Sequence, residues 1–317
     1  MTTTELPITI EEQVIKMKKY VSFRQRRKMR DFLNYAGYFR ASRYGKFLLS
    51  KVQAVGARFW QNDLFALYQF DANLRRTLNF YCNVTEVRFK SALSNACSIA
   101  TNDGTFYLDN GYYAPSKGES DAKIRRQNIS YFNTRFFPDI VQKETKLRSD
   151  VRKYPELREY RRGGSRQNNK LPVWVTFSYT EFGTVTMMYN YLRGDLRKKI
   201  LKYTFIKGKY SKRDAELVDT WLDAVRNMRN YCAHNSMVVG MTSSVVLRDP
   251  TDDAAVLPLD NDLFSRLYAM KKLLPEKDAE NLQKDLKKLI RASKVDIYIM
   301  GILPEKWEEM YDVIHSF

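Results

Sequence analysis

The sequence predicts an all-α fold. Apolar residues recur at helical spacing along most of the chain, and alternating strand-like runs are scarce. Charged segment ends also have the polarity that complements a helix dipole. The first segment, IEEQVIKMKKYV, opens with Glu11 and Glu12 and closes with lysines, which predicts a helix. Residues 22–46 follow with eight Lys or Arg and one acid, interleaved with Phe32, Tyr35, Tyr38, Phe39 and Tyr44. Basic side chains there steer phosphates and exposed rings stack bases, unless the rings belong to the core.

From Phe59 to Phe80 a heptad-like apolar stripe is interrupted at Asp71, and the next helical stretch, NVTEVRFKSALSNACS, carries Glu86 on its apolar stripe. Carboxylates on apolar faces are costly, so each is expected to find an arginine or a hydrogen-bond network. TNDGTFYLDNGYYAPSKGES reads as a long surface connection between helical blocks. A basic helix is expected near 121–153, then a flexible positive loop at 161–170. Pro172 opens an apolar helix or helix pair interrupted at Gly183, and residues 193–213 carry nine basic residues against the single acid Asp195. AELVDTWLDAVRNMRNYCAHNS predicts a long amphipathic helix, and DLFSRLYAMKKLL and DAENLQKDLKKLIRAS return to helical spacing in a packed C-terminal cap.

Charge points to the partner. The 54 Lys plus Arg against 36 Asp plus Glu give a formal +18, which favours a polyanion, nucleic acid before an anionic membrane, because no apolar anchor is visible. The three cysteines lack disulfide or zinc spacing and fit a reducing cytoplasm, so a cytoplasmic protein is expected. No signal-peptide pattern and no run of transmembrane length is read, and no membrane association is expected. Walker and dinucleotide fingerprints are missing, and Asp252, Asp253, Asp260 and Asp262 read as a solvated acidic loop, so neither a cofactor nor a metal is expected. The candidate RNA contacts are Arg24, Arg26, Arg27, Lys28, Arg30, Arg40, Arg43 and Lys46 in the first basic segment, and Arg193, Arg197, Lys198 and Lys199 in the second.

The chemistry-bearing candidate is RNMRNYCAHNS, which places Arg229 and His234 with four residues between them. Histidine moves a proton near neutral pH and arginine forks onto phosphate oxygens, the two tools that metal-free RNA cleavage needs. On an ideal helix five residues turn through about 500°, leaving the side chains roughly 140° apart. Either the helix unwinds around Cys232 to Asn235, or a working site combines two copies of the motif. Asn227, Asn230 and His234 share a face, which makes Asn230, with Asn235, a supporting candidate.

RNYCAHN resembles the RN..AHN signature of Abi-like (Abi_2, AbiD/AbiF) abortive-infection proteins, a branch of the HEPN ribonuclease superfamily. LPVWVTFSYTEFGTVTMMY is similar to a second family segment through Pro172, Trp174, Glu181, Phe182 and Gly183, and LYQFDANLRRTLNFYCNVTEVRFKSAL to a third through Asp71, Leu74, Arg75 and Glu86. LNYAGYFRASRY and MGILPEKW resemble its terminal segments. The resemblance implies a HEPN-type helical bundle with N-terminal and C-terminal helical extensions: a basic region over 1–58, a core over 59–240 and a cap over 241–317. It implies metal-independent endoribonuclease activity by Arg229 and His234, with Glu181 supporting, in a phage-defence or toxin-antitoxin role. It further implies control by a structured small noncoding RNA and a homodimer or RNA-bridged assembly that pairs two motifs. Two other readings stand beside it: a noncatalytic RNA-binding protein, and a purely structural motif in which His234 caps its helix and Arg229 pairs with Asp71 or Glu86.

Overall fold

The computed structural model describes residues 7–116, 119–150, 152–161, 170–205, 212–247 and 257–314, and every regular element among them is a helix, as the spacing predicts. α1 (Ile10–Met17) starts with a reciprocal capping box: the Thr9 N–H donates to the Glu12 carboxylate at 2.7 Å and the Glu12 N–H to Thr9 Oγ1 at 3.3 Å. The basic aromatic segment divides into α2 (Arg26–Ala36) and α3 (Tyr38–Val55) at Gly37, whose φ of 78° an L side chain rarely adopts. α4 (Gln61–Thr101) fuses the two stretches bearing Asp71 and Glu86 into one 41-residue helix.

The segment read as a surface connection is a correction. It forms 3₁₀ turns at Phe106–Leu108 and Asn110–Tyr112 and buries Phe106, Tyr107 and Tyr113. The Tyr107 hydroxyl donates to the Leu171 carbonyl at 2.8 Å, and that of Tyr113 to the Tyr107 carbonyl at 2.8 Å. Its Gly, Asn and Ser do signal turns, but the aromatic residues between them supply enough apolar surface to sink the segment.

α5 (Ala122–Tyr131) runs through a π turn at Phe132–Phe136 into α6 (Phe137–Ser149), followed by the short α7 (Arg158–Arg161) and α8 (Val173–Thr176). The π turn sits where Phe132 and Phe136 both pack on Tyr191, at ring distances of 5.2 and 5.0 Å. The break after Pro172 also differs from expectation. It falls at Thr180 and Glu181, which precede α9 (Phe182–Tyr191), so Gly183 lies inside the helix. α10 (Gly194–Thr204), α11 (Lys212–Ala233), α12 (Leu263–Leu273), α13 (Glu276–Ala292) and α14 (Trp307–Asp312) complete the chain.

The helices gather into two compact units, Met1–Asn83 with Asn227–Ser316, and Val84–Arg226, so that α4 and α11 each contribute turns to both. In the first unit Trp307 is fully buried and the Tyr311 hydroxyl donates to the Ala279 carbonyl at 2.9 Å, which ties α14 to α13. α12 is buried on nearly all sides, including Arg266, whose guanidinium donates to the Val245 carbonyl. In the second unit Phe89 packs among Phe182, Tyr189 and Phe205 at ring distances of 5.3–6.3 Å, while Glu86 pairs with Lys90 at 2.6 Å. Asp262 caps α12 by accepting from the Ser265 N–H at 2.8 Å, a structural use for one member of the acidic loop. Asp252 and Asp253 lie outside the described residues, as does most of the loop at 161–170.

Candidate functional site

The end of α11, in the first unit, carries the Arg229 to His234 motif. Met228 and Cys232 face the core, Arg229 is half-buried, and Asn230, His234 and Asn235 are exposed. The helix does not unwind between the two candidate cleavage residues. The His234 N–H still donates to the Asn230 carbonyl at 3.0 Å, and only then does the chain turn, with Asn235 at φ 52°. The Asn235 N–H donates to the Cys232 carbonyl at 3.2 Å and the Ser236 N–H to the Tyr231 carbonyl at 2.8 Å, a Schellman ending with Asn235 in the left-handed position. Helical hydrogen bonding thus runs through the His234 N–H and the turn begins beyond it, although α11 itself ends at Ala233; ideal helical geometry up to that point sets the two side chains roughly 140° apart. Burial pushes the Cys232 thiol up to about 12 against the charge of Arg75, so the cysteine beside the motif stays protonated. Asn227 is engaged elsewhere, its side-chain carbonyl accepting from the Ser243 hydroxyl at 3.0 Å.

The strand of chain leaving the motif is pinned by Asp71. This carboxylate is completely buried; one oxygen accepts from the Val238 and Val239 N–H groups at 2.9 and 2.8 Å, and the other from the Tyr44 hydroxyl at 2.5 Å and from Arg75. The arginine partner expected for Asp71 is thus Arg75, four residues along the same helix, and not Arg229. The paired backbone donors are the part that helical spacing does not show.

Two grooves flank the end of α11. The first, of 500 Å³, is lined by Tyr35, Arg40, Tyr68, Arg75, Arg76, Asn79, Cys232 and Asn235 among others. The second, also of 500 Å³, is lined by Phe39, Arg43, Lys46, Phe47 and Tyr231 together with 237 and 239–242. Arg40, Arg43 and Lys46 of the first basic segment therefore reach the surroundings of the motif. The aromatic residues of that segment separate by role: Tyr44 is core, Phe32 packs on Phe65 at 4.7 Å, and Tyr35 and Phe39 are 81% and 79% exposed. Arg26, Arg27 and Lys28 are exposed, Arg24 lies over the Trp60 ring at 5.6 Å, and Arg30 pairs with Glu11 at 2.5 Å.

The remaining candidates belong to the second unit. Arg193 holds Asp195 at 2.7 Å, and Arg197 holds Asp219 at 2.6 Å while lying over the Tyr189 ring at 4.7 Å. Lys198 and Lys199 are exposed. Glu181 occupies the N-cap position of α9 without capping it, and its carboxylate pairs with Lys143. Sequence reasoning missed Arg76 and Asn79, although Gln69, Ala72, Arg76 and Asn79 form a small-and-polar stripe at i, i+3, i+7 and i+10 on α4.

Among the described residues no three His, Cys, Asp or Glu side chains cluster as a metal site would require, and no helix is long and apolar enough to cross a membrane. No curated protein and no solved structure matches the chain. A profile of the Abi-like protein family (Abi_2) matches residues 31–239, a span that begins after the basic start of α2 and takes in α3, the Asp71 anchor, Glu181 and the whole Arg229 to His234 motif. The chain belongs to the Abi-like protein family.

Proposed function

We propose that this protein is an RNA-binding, metal-independent endoribonuclease of the HEPN type, acting in abortive infection or a related toxin-antitoxin form of phage defence. The observation that carries the reading is the exposed His234, set at a capped helix end five residues beyond Arg229, with Arg40, Arg43 and Lys46 lining the flanking grooves. Membership of the Abi-like family supports the defence role. In the reaction the 2′-hydroxyl of the RNA attacks the adjacent phosphorus and the bond to the 5′-oxygen breaks. His234 moves the proton and Arg229 balances charge on the phosphorane, which leaves a 2′,3′-cyclic phosphate and a 5′-hydroxyl. Because the pair diverges on one helix, the working centre combines motifs from two chains, in a homodimer or an assembly bridged by a structured small noncoding RNA. Asn230 borders the centre, residues 59–240 serve as the HEPN-like core, and the protein works in the cytoplasm.

The same divergence favours a second reading, a noncatalytic protein that holds a structured RNA in a ribonucleoprotein. One experiment separates them. Purified protein is incubated with labelled single-stranded RNA in the presence of a chelator, alone and with any RNA that copurifies. Cyclic-phosphate ends that vanish in His234→Ala, with RNA binding unchanged, establish the nuclease. Tight binding without cleavage under either condition establishes the noncatalytic alternative.

A further inference from the structure

The groove beside Cys232 and Asn235 is lined by three arginines and rimmed by an exposed tyrosine ring. No acidic side chain lines it, and its three arginines are not equivalent. Arg75 is neutralised by Asp71, whereas neither Arg40 nor Arg76 is paired with a carboxylate among the described residues. Two uncompensated guanidinium groups on one concave surface concentrate anions, and each can fork onto phosphate oxygens. At the rim, Tyr35 is 81% exposed and held by an edge contact to Tyr68, with ring centres 6.2 Å apart. Such a ring adds little to a core, but it makes a platform for a base. The 500 Å³ volume suits a small polar ligand, since such sites span roughly 300–1,000 Å³.

We propose that this groove is a nucleotide subsite, taking the phosphate of one RNA nucleotide on Arg40 and Arg76 and its base on Tyr35, with the Asn79 amide facing the base edge. The proposal rests on RNA being the ligand, and it adds a selection site separate from Arg229 and His234, neither of which lines the groove. A strand is favoured over a free nucleotide because positive charge continues along α3. Arg43 and Lys46 follow Arg40 at intervals of three and line the second groove, as a continuing phosphate backbone requires.

The test is fluorescence anisotropy with a labelled single-stranded oligoribonucleotide across a salt series, with uridine monophosphate as an unlabelled competitor. Tyr35→Ala is expected to weaken strand binding about tenfold at constant salt slope. Arg40→Gln and Arg76→Gln should each weaken it and flatten the slope by about 0.7. Arg291→Gln, on α13, serves as a charge-matched control with little effect, and circular dichroism melts confirm that each variant folds. Strand binding unchanged in all three groove variants overturns the subsite while leaving the RNA reading intact. If wild-type protein fails to bind the strand at low salt, both fall together. If the variants lose only competition by uridine monophosphate, the groove holds a free nucleotide and the strand assignment is overturned.

Discussion

Asp71 shows how a single residue can position a motif that it does not belong to. Its two oxygens take four donors, two of them the backbone N–H groups of Val238 and Val239 just beyond the motif. Asp71→Ala leaves the two backbone N–H groups unpaired and the buried Arg75 charge without its counter-ion, with only the Tyr44 hydroxyl accepting from it at 3.0 Å, and a loss of about 3–5 kcal/mol is expected in a denaturant titration. A loss below about 0.5 kcal/mol, the scatter of surface substitutions, would show that the anchor is dispensable. Asn235 makes a second residue-scale case. At φ 52° it holds the left-handed position that ends α11, so Asn235→Gly should keep the melting midpoint. Asn235→Val should lower stability by about 1–2 kcal/mol, since a β-branched residue resists that conformation. If Gly lowered the midpoint as much as Val, the amide side chain and not the backbone would be what matters.

Among the elements, α3 links the fold to the candidate interface. Its buried face carries Ala41, Tyr44, Gly45 and Leu48, and its outer residues Phe39, Arg43 and Lys46 line a groove. Gly45 is required by close approach, because a Cβ there would meet the Tyr20 ring and its Cβ at 2.8–3.2 Å. Gly45→Ala would raise helix propensity by about 1 kcal/mol in isolation, but it should destabilise the protein, because overpacking of a fitted contact costs about 1–3 kcal/mol. Thermal melts decide the sign: a higher midpoint would mean that Tyr20 swings aside. α4 and α11 show the limits of local pattern. Their apolar stripes were readable, but the continuity of α4 through 41 residues was not, since Asp71 and Glu86 interrupt the stripe wherever a partner satisfies them.

For the whole molecule, the proposed function predicts RNA binding that is sensitive to salt, given the formal charge of +18, and cleavage that needs two chains, given the spacing of Arg229 and His234. Mixing is the direct check. Arg229→Ala and His234→Ala proteins, each inactive alone, should recover part of the cleavage when combined, because a centre shared by two chains then contains one intact arginine and one intact histidine. Recovery should rise with total protein concentration, as assembly by mass action requires. Mixtures as inactive as the separate variants would mean that one chain contains the entire centre, or that there is none.

The sequence by itself determined the helical class, the amphipathic α11, the acid-to-base polarity of α1, the positive charge and the resemblance to the Abi-like family, because each is written in local spacing, composition or motif. It also indicated that Asp71 must be compensated, since a carboxylate on an apolar stripe has no other stable outcome. Only the tertiary structure decided which donors compensate it, how the aromatic residues of α2 and α3 divide between core and surface, and that the stretch from Phe106 to Tyr113 is buried. The gathering of Arg40, Arg76 and Asn79 around one groove at the end of α11 was also decided at that level. Those outcomes depend on residues far apart in the chain meeting in space, and helical periodicity reports only which face a residue occupies, never what that face will meet.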